Sequence, residues 1–198
     1  MPTAVFLKSA ANPADFPADL GREVAFVGRS NSGKSTAVNV VTGARKLARV
    51  SKTPGRTQLL NFFECGEGRR LVDLPGYGFA RVAPDVQARW RRSLEAYLRE
   101  RASLMGLVVT MDIRRGMTPL DETLLRWLEP RELSVAVLLT KADKLSRGAG
   151  LEQERKLAAE LGPAIKLTRF SALTGDGVAT AQQWVEEWLD PPKNIEKD

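Results

Sequence analysis

Six short apolar runs rich in branched residues punctuate the chain: "EVAFVG" (23–28), "LLNFFEC" (59–65), "RRLVDL" (69–74), "LMGLVVTMD" (104–112), "SVAVLLT" (134–140) and "AIKLTRF" (164–170). Runs of this length with little polar alternation read as strands, most of them buried on both faces. Helical spacing alternates with them. Residues 34–43 follow a glycine-rich turn, and residues 84–101 open with Pro84 and Asp85 and carry Val86, Trp90, Leu94, Tyr97 and Leu98 along one face. Further helices fit residues 118–129, 150–161 and 177–189.

Strands alternating with helices make an α/β domain of three layers, a mostly parallel sheet with helices on both faces. The second and third runs are the exception. Only a few residues around "GEG" (66–68) separate them, too few for a crossover helix, so they form an antiparallel hairpin that puts the second run at an edge of a mixed sheet. An extra strand fits "AVFLKSA" (4–10), followed by a Pro- and Asp-containing connector, "NPADFPADLG" (12–21). The expected division is an N-terminal extension over 1–21, one domain over 22–190 and a tail over 191–198.

Bulk properties narrow the chemistry. The 198 residues are 43% hydrophobic and 27% charged, the balance of an ordinary folded domain. A single cysteine, Cys65, excludes an internal disulfide, and the absence of histidine excludes a histidine-based triad. What remains for catalysis is electrostatics. No run approaches the length of a membrane span, there is no secretory leader, and Pro2 stands where myristoylation needs glycine, so a cytoplasmic protein is expected, with a monomer as the default state. A net charge of +6 and a pI near 9.7 favour an anionic partner.

The glycine-rich turn is "GRSNSGKS" (28–35), which meets G-x-x-x-x-G-K-[ST] with Gly28, Gly33, Lys34 and Ser35 between a strand and a helix. That context is what the motif requires. A tight strand-to-helix turn alone would need the glycines but not the lysine. Backbone amides from Gly28, Arg29, Ser30, Asn31, Ser32 and Gly33 converge on phosphates, Lys34 reaches the β- and γ-phosphates, and Ser35 offers its hydroxyl to Mg²⁺. Asp73 ends a buried strand as a magnesium-holding carboxylate should, and Leu74, Pro75 and Gly76 follow it. In D-x-x-G the Gly76 amide meets the terminal phosphate; on its own, Asp73 could also be a turn former. "TKAD" (140–143) closes another strand, where Asp143 can accept from the N1 and N2 donors of guanine and Lys141 can lie over the base. After the last strand, "SALTGDG" (171–177) brings an amide near Ala172 to the guanine O6.

In this order the motifs resemble a translation-factor-class GTPase, and more closely the EngB family (also called YsxC or YihA) of ribosome-biogenesis GTPases. "GRSNSGKS", "SKTPGRTQLLNFF", "DLPGYGFA", "TKADKL" and "FSALTGDG" carry the resemblance, over residues 28–177. It implies a Ras-like P-loop domain, GTP and GDP as ligands, and assembly of the large ribosomal subunit. It also implies that Thr57, within Gly55, Arg56, Thr57, Gln58 and Leu59, is the switch I threonine that closes on Mg²⁺ and the γ-phosphate. Thr140 and Ala142 complete the guanine motif with Lys141 and Asp143, and Phe170 and Ser171 stand beside Ala172. Metal ligands by this reading are Ser35, Thr57 and Asp73; the catalytic group is Lys34, Thr57, Gly76 and Asn31.

Two positions depart from the general pattern. Thr140 replaces the more widespread asparagine, as is usual in this family. Tyr77 follows Gly76 where Ras-type GTPases carry glutamine, so intrinsic hydrolysis is expected to be slow. Asn31 reads either as a turn residue tolerating left-handed backbone or, as in related GTPases with asparagine here, as a side chain that helps hold a potassium ion beside the phosphates.

Basic residues cluster in "RKLARVSKTPGR" (45–56), with Arg45, Lys46, Arg49, Lys52 and Arg56, and on one helix face, Arg89, Arg92 and Arg99. A charged helix face can be merely solvated. Read with the resemblance, both clusters suit backbone contacts with ribosomal RNA of the large subunit or its precursor. Other outputs stay open: a signalling or trafficking switch acting on a protein effector, an ATP-using P-loop enzyme, which "TKAD" opposes, or a nucleotide-stabilised binding module without useful turnover.

Overall fold

The computed structural model describes residues 3–44, 47–48, 59–77, 84–128, 131 and 133–190, with the helix course alone over 84–90. Seven strands of these residues form one sheet: β1 (Val5–Ala10), β2 (Arg22–Gly28), β3 (Leu60–Glu64), β4 (Arg69–Asp73), β5 (Leu104–Asp112), β6 (Ser134–Thr140) and β7 (Lys166–Arg169). Their spatial order is β1-β3-β4-β2-β5-β6-β7. β4, β2, β5, β6 and β7 run parallel, while β3 is antiparallel to both of its neighbours.

The expected edge is therefore corrected. β3 lies inside the sheet, and the N-terminal strand occupies the edge, pairing Val5 with Glu64 through Ala10 with Leu60 around an irregularity between Phe6 and Lys8. The physical reason lies in β3 itself. Leu60 and Phe62 belong to the core on one face and Phe63 to the core on the other, so its outer backbone edge is better paired than left open.

Among the described residues five α-helices cover the sheet: α1 (Lys34–Val41), α2 (Pro84–Glu100), α3 (Pro119–Arg126), α4 (Arg147–Leu161) and α5 (Val178–Leu189). Leu94, Tyr97 and Leu98 of α2, Leu124 of α3 and Leu157 of α4 fill the core on one face. Val38 and Val41 of α1 and Val185, Trp188 and Leu189 of α5 fill the other. Each helix thus buries one stripe, as the period of its apolar positions requires.

A charged cluster anchors the end of the sheet where β2 begins. Glu23 is fully buried and its carboxylate accepts from Arg70 Nε at 2.8 Å, Tyr97 Oη at 2.9 Å, Arg101 Nε at 3.0 Å and Arg101 Nη2 at 2.7 Å. Burial and the adjacent Glu23 carboxylate push the Tyr97 phenol well above its usual range. Arg101 also donates to the Pro17 carbonyl at 2.9 Å and lies over the Phe16 and Phe62 rings, 5.9 Å from each centroid. Asp19 receives the Ala102 and Ser103 amides at 2.9 and 2.8 Å. The connector after β1 is thereby tied to the end of α2.

Candidate nucleotide site

The loops that follow β2, β4, β5, β6 and β7 gather at the carboxyl ends of the parallel strands, where open α/β sheets bind their ligands. The β2 loop leads straight into α1, whose ladder begins with Ala37 N–H donating to Gly33 O at 2.9 Å. Gly33 adopts φ +91°, a left-handed geometry that disfavours any side chain. Gly28 is required for a different reason: a Cβ there would come within 2.1 Å of Thr110 Oγ1 and 2.5 Å of Ser32 Oγ. Those two hydroxyls lie 2.7 Å apart and pin the loop to β5.

Lys34 Nζ contacts the carboxylate of Asp73 directly. The first residue of α1 and the last residue of β4 are thus brought side by side. After Asp73 the chain stays against the loop. Leu74 N–H donates to Phe26 O at 2.9 Å, Tyr77 N–H to Gly28 O at 3.2 Å, and Ser30 N–H to Tyr77 O at 3.0 Å. Pro75 and Gly76 are bracketed by these bonds.

The β6 end joins the same loop. The Thr140 hydroxyl touches the Ser32 carbonyl and lies 3.0 Å from Met111 O. Lys141, in left-handed backbone at φ 59°, extends Nζ to Asn31 O at 2.8 Å and to Asp112 Oδ2 at 2.9 Å. Asn31 itself is exposed at φ 64°, which realises the turn reading of that residue. Asp143 accepts from Ser171 Oγ at 2.9 Å, Ala142 N–H donates to Phe170 O at 3.2 Å, and Phe170 N–H donates to Leu139 O at 2.9 Å. Ala172 follows, exposed. The Ser171 hydrogen bond holds the Asp143 carboxyl below its ordinary value, which keeps it an acceptor.

Gly55, Arg56, Thr57 and Gln58, together with Arg45, Lys46, Arg49 and Lys52, lie outside the described residues, as does the side chain of Arg89. Leu59 stands exposed just before β3. Arg92 and Arg99 are exposed on α2, Arg99 with Glu95 at 3.3 Å.

Sequence reasoning missed Asp112 and Asp121. Asp112 ends β5 and receives Arg114 Nε at 2.9 Å, Arg114 Nη2 at 2.7 Å and the Arg114 amide at 3.1 Å, besides Lys141. Arg114 foremost, against the opposing effect of burial, and then Lys141 hold its carboxyl well below the usual range. Its signal was the one that exposed Asp73: a carboxylate closing a buried strand on the ligand side of the sheet. Asp121 lies in a helix, where no comparable positional rule applies.

Among the described residues no three His, Cys, Asp or Glu side chains gather to hold a metal. The hydroxyl of Ser35 and the carboxylate of Asp73 are nonetheless hard oxygen donors of the kind Mg²⁺ takes when phosphates complete its shell. No helix among the described residues is long and apolar enough to cross a membrane.

The model of a family described as "50S ribosome-binding GTPase" matches residues 23–141. The "Probable GTP-binding protein EngB" of Methylococcus capsulatus is 46% identical over 192 residues, 95% of this chain and 91% of that protein. Its counterpart in Aeromonas hydrophila is 50% identical over 186 residues, 92% of this chain and 86% of the other. A crystal structure of a probable GTP-binding protein engB superposes with a TM-score of 0.68 at 24% identity, covering 84% of this chain and 98% of that one. Era in complex with MgGDPNP and a segment of 16S ribosomal RNA has the same fold, with a TM-score of 0.68 at 21% identity, covering 90% of this chain and 60% of Era.

Proposed function

Because the chain belongs to the EngB family of GTP-binding proteins, which are GTPases, we propose that it is a slow molecular switch that binds the large ribosomal subunit or its precursor with GTP and leaves after hydrolysis. The observation that carries the nucleotide reading is the gathering of three strand ends at one place: Lys34 after β2 meets Asp73 of β4, Lys141 after β6 reaches the Asn31 carbonyl of the same loop, and Asp143, two residues on, is held by Ser171. In the proposed complex the amides of residues 28–33 and Lys34 hold the phosphates, and Asp143 selects guanine because adenine lacks the donor pair it accepts. Ser171 keeps that carboxylate ionised and oriented.

Ser35, Asp73 and, from outside the described residues, Thr57 are the proposed Mg²⁺ ligands; the ion supplies neutralisation of phosphate charge. Asn31 is the proposed aid to a potassium ion. The Gly76 amide is the sensor of the terminal phosphate. Slow turnover rests on the missing glutamine and histidine. The RNA-facing elements are the basic 45–56 segment and Arg89, Arg92 and Arg99, in a protein proposed to act in the cytoplasm as a monomer. Residues 22–190 form the proposed nucleotide domain, with 1–21 as its extension and 191–198 as its tail.

The test is GTP turnover with and without large subunits. Turnover that is slow alone and rises with subunits supports the reading; turnover indifferent to them favours a switch with a protein effector.

A further inference from the structure

Tyr77 occupies the place at which Ras-type GTPases carry the glutamine that orients water, yet its side chain turns away from that task. Only 5% of the residue is exposed, its ring belongs to the apolar core, and its hydroxyl donates to Asp121 Oδ1. Asp121 is 1% exposed and equally committed. Its Oδ2 accepts from the Thr118 amide at 2.8 Å and the Thr118 hydroxyl at 2.6 Å, which makes it the reciprocal partner in the capping box that starts α3. Leu124, one turn on, is buried in the same core, and the two Thr118 bonds hold the carboxylate from the side opposite the phenol.

The backbone of Tyr77 is bonded as firmly as its side chain. Its N–H and C=O pair with Gly28 O and Ser30 N–H, forming a bridge of residue 77 with Arg29. Gly76 immediately precedes this doubly anchored residue.

We propose that Tyr77 is a positioning residue: through Asp121 it fixes the Gly76 amide against the phosphate loop, ready for a terminal phosphate. This rests on the guanine-nucleotide reading above. Burial, reinforced by the Asp121 carboxylate, pushes the phenol far above its ordinary value, and only the nearby Arg29 opposes it, so the donating proton stays in place.

A loosened Tyr77 affects the two nucleotides differently. A γ-phosphate meets the Gly76 amide, whereas GDP has no group there, so loosening Tyr77 penalises the triphosphate alone. A merely structural residue would weaken both ligands together through the stability of the fold.

The test measures binding of GDP and of a non-hydrolysable GTP analogue, each with Mg²⁺, to the full chain and to Tyr77→Phe, Asp121→Ala and Asp121→Asn. Removing a hydrogen bond to a charged partner corresponds to about a tenfold effect. Tyr77→Phe and Asp121→Ala are expected to lose about tenfold in analogue affinity, with GDP affinity changed by less than about twofold. Asp121→Asn keeps polar partners for both Tyr77 and Thr118 and is expected to stay within about threefold of the wild type. A thermal melt of each variant registers folding; if Asp121→Ala does not fold, Tyr77→Phe, which keeps the helix cap, decides. Equal losses for both nucleotides, or none in Tyr77→Phe, overturn the positioning role. A wild type that binds neither nucleotide instead overturns the guanine reading, and this inference with it.

Discussion

The Lys141 ammonium lies 2.8 Å from the carbonyl oxygen of Asn31, joining the guanine motif to the phosphate loop across 110 residues of sequence. Asp112 holds the same ammonium at 2.9 Å. The loop after β6 and the loop after β2 are therefore tied together through one side chain.

Guanine selectivity is expected to reside in Asp143. Two hydrogen bonds to an ionised carboxylate are worth about 1.5–3 kcal/mol each, so Asp143→Asn should lower GTP affinity by about 100-fold and favour xanthine nucleotides, whose base supplies the acceptor. Competition binding with GTP, XTP and ATP checks this. Equal affinity of the wild type for ATP and GTP would contradict it.

Hydrolysis is expected to depend on the alkali cation. Replacing sodium by potassium should raise turnover severalfold, and Asn31→Ala should erase the difference. Steady-state phosphate release in the two salts measures it; equal wild-type rates would remove potassium from the account and leave the other site assignments in place.

Acid sensitivity follows from Asp112. Its folded carboxyl is depressed, so the stability it contributes is present above the unfolded value of about 3.9 and is lost as pH falls below that value toward the depressed one. The wild type should lose thermal stability steeply below about pH 4, and Asp112→Asn, which does not titrate, should show a shallower decline over the same range. Parallel melting profiles for the two proteins would contradict this.

Glu23 is expected to matter for folding and not for nucleotide. Glu23→Ala leaves Arg101, Arg70 and Tyr97 without their shared acceptor inside the protein, a loss of about 3–5 kcal/mol. Urea unfolding should register it, while the GDP affinity of the folded fraction stays close to wild type because the cluster lies at the opposite end of β2 from the phosphate loop.

Much of this architecture is legible from period and punctuation alone. The strand ending at Thr140 and the loop opening at Gly28 announce themselves because apolar runs stop at polar residues, and the β3–β4 hairpin follows from its short loop. α4 starts at Arg147, ahead of the expected residue 150, because the Ser146 side chain caps it by accepting the Ala149 amide at 3.3 Å, while Gly148 and Gly150 obscure the helical pattern. The pairing of β1 with β3 joins Ser9 to Asn61, 52 residues on, a tertiary choice with no local trace. Tyr77 with Asp121 and Asp112 with Lys141 escape for the same reason: each residue type is ordinary at its position, and only the fold supplies the partner.

The central claim, GTP-controlled binding to the large ribosomal subunit, is tested most directly by cosedimentation with large subunits or their precursors in GDP and in a GTP analogue across a salt series. The account predicts stronger association with the analogue, a steep fall as salt rises, and weaker binding by the Arg89, Arg92, Arg99 triple alanine variant at every salt concentration. Association that ignores nucleotide, salt and the three arginines would contradict it.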